Sequence, residues 1–382
     1  MVVFTEEHQA FRKSVRAFVE REVDPYVDEW ERAGSMPTHE LFASMGALGW
    51  LGLEYDPAYG GGGADHLFAV VLAEEIGRAD AAGVGMAVGV QTDMATPSLH
   101  RFGTEELKQR YLVPAIRGEM VTAIAVTEPD AGSDVAGLRT RAVRDGDEWV
   151  IDGAKLYITN GVQADWLCLL ARTSDEGGAR GMSQIVVPTS TPGVTVSRKL
   201  DKLDKLDNRC SDTAELAFNG VRVPVTNTIG TLGRGFSQQM AQFQNERMVA
   251  CYGRVGACER ALETVAYLRG RTAFGGPLVR QQYLTYTLAE LYARLDMCRH
   301  YNYACAEAFM RGEDTTYFAT VAKLAIGRLC EDVARTCLQY HGGIGYMEET
   351  WTARFLRDMR VTSIGGGADE VMLQVIAKRH GM

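Results

Sequence analysis

The stretch Met120-Val-Thr-Ala-Ile-Ala-Val-Thr127 decides the architecture, because the period of the apolar residues changes there. From about Glu6 to Gly118 apolar residues recur every three or four positions, as in Phe11, Val15, Phe18 and Val19 or Leu41, Met45 and Leu48, the spacing of helices with one buried face. Thr104 before Glu105-Glu106-Leu107 reads as an N-cap with acids in the first turn, and Gly118 as a stop. The run Gly60 to Gly63 reads as a flexible loop.

From Met120 to about Val225 the pattern is extended. Thr122–Thr127, Trp149–Ile151, Leu167–Leu170, Ile185–Val187, Val194–Val196 and Ala214–Phe218 read as strands. Asp145-Gly146-Asp147, Asp152-Gly153, Asn160-Gly161, Pro192-Gly193 and Asn219-Gly220 read as turns between them. After Gly230, Gly233 and Gly235 the helical period returns in three proline-free stretches, Phe236–Gly270, Gln281–Arg311 and Asp314–Tyr340. Such long periodic helices form bundles. The expected fold is α+β, with a helical domain at 1–118, a β domain at 119–225 and a helical bundle at 226–382. Strands and helices do not alternate, which disfavours a doubly wound dinucleotide sheet.

Composition narrows the function. The chain has 382 residues, 46% of them apolar, and 40 Lys+Arg against 49 Asp+Glu give a net charge of −9. Without a basic block, nucleic-acid binding is disfavoured. The N-terminus carries acid where an export signal would carry base, and no apolar run approaches a membrane span. The 8 cysteines form no C-x-x-C pair; six fall in pairs seven apart, Cys251/Cys258, Cys298/Cys305 and Cys330/Cys337, which reads as buried small side chains on helix faces rather than metal ligands. Reduced thiols fit a cytoplasmic protein.

Two stretches exceed what packing requires. Val126-Thr-Glu-Pro-Asp-Ala-Gly-Ser-Asp134 ends a strand with hydroxyls, a glycine and exposed backbone N–H groups, suited to phosphate oxygens; the same residues also make an ordinary acidic turn. Gln339-Tyr-His-Gly-Gly-Ile-Gly-Tyr-Met347 follows a long helix and reads locally as its glycine stop.

Together with Lys155-Leu-Tyr-Ile-Thr-Asn-Gly161 and Arg271-Thr-Ala-Phe-Gly275, these stretches resemble the hallmarks of the acyl-CoA dehydrogenase family, in order and spacing, from Phe4 nearly to the end of the chain. The resemblance implies an N-terminal helical domain, a central β domain and a C-terminal four-helix bundle. It implies FAD, a homotetramer with FAD at a subunit interface, and an electron-transferring flavoprotein as partner. The implied reaction is α,β-dehydrogenation of an acyl-CoA thioester: a carboxylate removes the α-proton while the β-hydrogen leaves as hydride to the flavin.

Many relatives keep that carboxylate near the C-terminus, in Ile-Tyr-Glu-Gly-Thr. Here the matching stretch is Ile364-Gly-Gly-Gly-Ala-Asp-Glu370, with Gly366 at the base position. Relatives resembling isovaleryl-CoA and long-chain dehydrogenases supply a glutamate from the bundle, and this chain has Glu246 there, in Phe243-Gln-Asn-Glu-Arg-Met248. The resemblance makes Glu246 the base, with Asp369 and Glu370 as competing carboxylates. It assigns Thr127, Ser133, Tyr157, Thr159, Arg271, Phe274, Gln282, Gln339, Gly342, Gly343 and Asp369 to the cofactor, and Ser133, Arg247 and Gly366 to the substrate. Gly365–Val371 and Gln91-Thr-Asp-Met-Ala-Thr-Pro97 are most like the citronellyl-CoA branch, compatible with a β-methyl-branched or short-to-medium acyl chain. Two alternatives share the fold: a dehydrogenase of carrier-bound acyl or aminoacyl thioesters, and a flavin oxidase or monooxygenase.

Overall fold

The computed structural model describes residues 2–200 and 206–382. Its first helix, Glu6–Phe18, starts on a reciprocal cap: Thr5 accepts from the His8 backbone N–H while the His8 ring pairs with the Thr5 N–H. The helix buries Val15 and Phe18 and packs on the helix His66–Ile76. Arg12 meets Glu74 and Glu75 at 2.7 Å each, so the two buried acids are paired. Thr104 caps its helix as expected, accepting from Leu107 N–H at 3.3 Å. The run Gly60 to Gly63 is not a loose loop. Gly61, Gly62, Gly63 and Ala64 donate to the carbonyls of Asp56, Gly52, Tyr55 and Leu53, and a Cβ on Gly61 would stand 2.2 Å from the Tyr55 oxygen. Close backbone packing explains these glycines better than flexibility does.

The middle of the chain forms one mixed eight-stranded sheet of β1 (Thr122–Ala125), β2 (Arg141–Asp145), β3 (Glu148–Thr159), β4 (Trp166–Arg172), β5 (Met182–Pro188), β6 (Val194–Lys199), β7 (Thr213–Pro224) and β8 (Thr228–Ile229). Its order is β6-β7-β3-β2-β4-β5-β8, with β1 parallel to β4. Strand β2 is absent from the sequence reading, since its three charged residues and exposed Val143 leave only Ala142 buried and give no apolar period. Two expected turns are also corrected. Asp152-Gly153 lies inside β3 and Asn219-Gly220 inside β7. At Gly153 the β3–β7 register shifts, φ is 149°, and a Cβ would stand 2.8 Å from Thr140 Cα. The extra residue lies on β7, where Val221 to Phe218 spans one residue more than Ile151 to Gly153, so Asn219-Gly220 bulges within a long strand rather than ending it.

Three long helices follow, Gly235–Leu262, Gln282–Met310 and Thr316–His341, joined by Asp369–Arg379 packed on the last of them. The expected helix Phe236–Gly270 breaks at Glu263, and Thr264–Gly270 is separate. The paired cysteines lie in this bundle, all buried except half-buried Cys298, with Cys258 and Cys330 sulfurs 3.6 Å apart. Leu67 and Val70 of the N-terminal domain enter the same apolar core, so the two helical layers pack as one. No helix among the described residues is long and apolar enough to cross a membrane.

Candidate active site

Glu246 sits midway along the Gly235–Leu262 helix, 8% exposed. Gln242, one turn earlier, donates from Nε2 to Glu246 Oε1 at 2.9 Å and also to the Met94 carbonyl, while Ser98 donates to the Gln242 Oε1. The other Glu246 oxygen has no hydrogen-bond partner among the described residues. Burial pushes the Glu246 carboxyl up to about 8; Gln242 and the Arg247 charge oppose the rise, and Asp93 adds to it. Beneath lies Cys168 of β4, its thiol pushed up to about 12 by burial and by the Glu246 charge.

Asp93 belongs to a π-helical segment, Val90–Ala95, a winding often found at functional sites. It is itself buried and pushed up to about 7 by desolvation. Gln91 of the same segment donates to the Ala115 and Met120 carbonyls and accepts from the Thr122 N–H and hydroxyl, which fixes the segment to the start of β1.

Arg247 joins this helix to the glycine loop. Its Nε donates to the Gly366 carbonyl at 2.8 Å, so Gly366 and the residue beside Glu246 are in contact although 119 positions apart. A Cβ on Gly366 would meet nothing within 4 Å, which leaves open space where the family's usual glutamate would stand.

Phe243 joins the helix to the other side of the site by packing on Val126, Ala131, Leu138, Leu170 and Met182, the apolar floor of the Thr127–Ser133 loop. That loop is anchored by a residue the sequence reading passed over. Lys155, fully buried, donates to the Val126 carbonyl and to Glu128 Oε1, both at 2.8 Å, and Glu128 accepts further bonds from the Arg139 and Thr140 N–H groups. Burial lowers the Lys155 ammonium to about 8; for Glu128, burial works upward, but the Lys155 charge and these bonds hold it below its usual range. Leu156 N–H donates to the Thr127 carbonyl, which sets Thr127 beside Tyr157. Tyr157 is 64% exposed with φ 60°. The side-chain hydroxyls of Thr127, Ser133 and Thr159 make no hydrogen bond among the described residues, so three donors stay free on the strand and loop that carry Thr127 and Tyr157. That inventory suits a flat, polar-rimmed heterocycle with a phosphate tail.

The remaining cofactor candidates form a second group. Tyr267 stacks on His341 with ring centres 4.2 Å apart and donates to its carbonyl, which brings the Arg271–Phe274 hairpin beside Gln339, Gly342 and Gly343. Arg271, Phe274, Gln282, Gln339, Gly342 and Gly343 are all exposed, Phe274 at 91%. Among the described residues no hydrogen bond or ion pair joins this group to the Thr127–Tyr157 group. Asp369 turns inward at the start of its helix, 3.9 Å from Lys323 and 3.7 Å from Arg328, while Glu370 is exposed. Neither shares a hydrogen bond with Glu246, Gln242 or Arg247.

Gln242, Asp93 and the Lys155–Glu128 pair were not among the sequence candidates. Gln242 carried a signal in its position one helical turn from Glu246, and Asp93, Glu128 and Lys155 lie within stretches singled out by the family resemblance.

Comparison with known proteins agrees with this layout. Family models described as acyl-CoA dehydrogenase N-terminal, middle and C-terminal domains match residues 5–119, 123–221 and 233–381. The long-chain specific acyl-CoA dehydrogenase of Rattus norvegicus mitochondria is 35% identical over 99% of this chain and 87% of its own length. Among solved structures, an acyl-CoA dehydrogenase from Geobacillus kaustophilus is 37% identical with a TM-score of 0.94, covering 99% of each chain. A glutaryl-CoA dehydrogenase from Mycobacterium smegmatis, solved in complex with FADH2, is 29% identical with a TM-score of 0.92, covering 99% of this chain and 96% of that one.

Proposed function

The chain belongs to the acyl-CoA dehydrogenase family, and we propose that Glu246 is the base with which it removes the α-proton of an acyl-CoA thioester. The enzyme is an FAD-dependent oxidoreductase acting on a CH–CH bond. When bound, the flavin supplies the acceptor for the hydride leaving the β-carbon.

The observation that carries the assignment is the buried carboxyl of Glu246 on the helix whose next residue, Arg247, holds the Gly366 carbonyl. A base must give up its proton before it can take one, and burial makes the Glu246 carboxylate more proton-hungry than an exposed glutamate. Gln242 keeps one oxygen engaged and leaves the other for the α-hydrogen. The free N–H groups of the glycine loop serve the thioester carbonyl, where negative charge develops as the proton leaves.

Thr127, Ser133 and Thr159 would hold the flavin and its phosphates, with Tyr157 against the ring, and Ser133 would also meet the substrate. Arg271, Phe274, Gln282, Gln339, Gly342 and Gly343 would meet the FAD of a second copy in a homotetramer. The exposure of Phe274, Tyr283 at 77% and Tyr286 at 66% supports a covered rim. Asp369 is better read as a partner of Lys323 and Arg328 than as a direct FAD contact. An electron-transferring flavoprotein would reoxidise the enzyme, in a cytoplasm that keeps its eight free cysteines reduced. The test is anaerobic titration of the FAD-loaded protein with straight-chain and 3-methyl-branched acyl-CoA. Bleaching of the flavin is expected, and no bleaching by any thioester overturns the assignment.

A further inference from the structure

The loop Ile364-Gly-Gly-Gly-Ala368 has no side chain at its three central residues to fix the peptide planes. With φ of 65° at Gly366 and 110° at Gly367, its path is one a chain with side chains would resist. Two cations from two helices hold it. Arg247 donates to the Gly366 carbonyl, and the Lys323 ammonium, from Thr316–His341, donates to the Gly367 carbonyl.

Lys323 is 4% exposed, and its nearest carboxylate oxygen, on Asp369, is 3.9 Å away. Burying a cation is costly, yet the closest partner of this one is a neutral carbonyl. That carbonyl therefore receives a charge-assisted bond stronger than a neutral donor would give. The N–H groups of Gly366, Gly367 and Ala368 donate to no acceptor among the described residues. Each carbonyl belongs to the same peptide as the following N–H, so the pull of Arg247 polarises the Gly367 N–H and that of Lys323 the Ala368 N–H.

We propose that Lys323 is a positioning residue of the reaction: through the Gly367 carbonyl it locks the glycine loop with its free N–H groups turned to the thioester carbonyl. The inference rests on the dehydrogenase assignment above. It gives Lys323 a part in transition-state stabilisation without contact with substrate or cofactor.

The test compares FAD-loaded wild type with Lys323→Met, Lys323→Gln and Lys323→Arg. One readout is the rate constant of anaerobic flavin bleaching by saturating acyl-CoA. The other is the absorbance red shift of a bound 3-arylacryloyl-CoA, which reports polarisation of its carbonyl. For Lys323→Met we expect a loss of about tenfold or more in the rate constant and most of the red shift, with half-saturation within about threefold of wild type. Lys323→Arg should restore both, and Lys323→Gln, with a neutral donor, should lie between. If Lys323→Met does not hold FAD, the Gln and Arg variants carry the comparison. An unchanged rate and red shift in Lys323→Met, or in Lys323→Gln where that variant replaces it, overturns the role of Lys323 alone. Wild type that no acyl-CoA bleaches overturns the dehydrogenase assignment and this inference with it.

Discussion

Gln242 donates to Glu246 across one turn of a single helix, 2.9 Å from Nε2 to Oε1, while the same amide reaches the Met94 carbonyl. The acid is thereby tied to the π-helical segment that holds Asp93. No hydrogen bond among the described residues ties the Glu246 carboxyl to the glycine loop.

Glu246→Gln keeps the shape and removes the basicity. Turnover should fall by about 10²–10⁴, the usual worth of a positioned base, while the protein still binds FAD. Flavin absorbance before and after anaerobic addition of substrate measures both. Near-normal bleaching would end the assignment of Glu246.

The proton equilibrium gives a second check. A base works deprotonated, so the rate of flavin reduction should climb as pH rises toward and through about 8, where burial holds the Glu246 carboxyl. The folded state also binds this proton more tightly than the unfolded chain does. The stability it contributes is complete below the ordinary carboxylate range and lost as pH rises through about 8. Melting temperatures taken from pH 6 to 9 should therefore fall more steeply for wild type than for Glu246→Gln. Asp93, raised to about 7, titrates in both proteins and largely drops out of the comparison. Parallel curves would contradict the shift.

Lys155→Met leaves Glu128 buried without its cation. Breaking a buried pair on one side costs about 3–5 kcal/mol, and the Thr127–Ser133 loop loses its anchor. We expect a lower melting temperature and weaker FAD retention on gel filtration. The double variant Lys155→Met/Glu128→Gln should recover part of both losses, and additive losses would contradict the pairing.

Phe274→Ala removes a ring that is 91% exposed in the single chain. In an isolated subunit the effect on stability should be within about 0.5 kcal/mol. If the ring meets a second copy's FAD, cofactor content and assembly fall together, as light scattering and flavin absorbance would record. Unchanged assembly and FAD content would leave Phe274 outside the shared site.

The layer order was legible because helix and strand periods differ over long stretches, as between Leu41-Met45-Leu48 and Leu167–Leu170. Asp152-Gly153 and Asn219-Gly220 misled because a glycine that bends a strand looks locally like one that ends it. Glu246 and Gly366 could be paired in sequence only through the family resemblance. Periodicity alone makes Glu246 a surface residue and says nothing of the hydrogen bond from Arg247. Lys155 and Glu128 were illegible for a related reason. Charged residues are usually solvated, yet Lys155 shares the alternation of buried Trp149 and Ile151 along β3 and lies in the interior beneath the Val126–Asp134 loop.

Glu246, the proposed base, and the glycine loop come from separate elements joined at Arg247, so they can diverge at different rates. On the proposed assignment, side chains flanking the triglycine segment can change to suit another acyl group without moving the proton acceptor, so long as the Gly366 and Gly367 carbonyls keep their hold on Arg247 and Lys323. In relatives that carry the acid on that segment, every such change would also displace the acid. With the base on the helix, as proposed, this scaffold is the safer starting point for redesigning acyl selectivity.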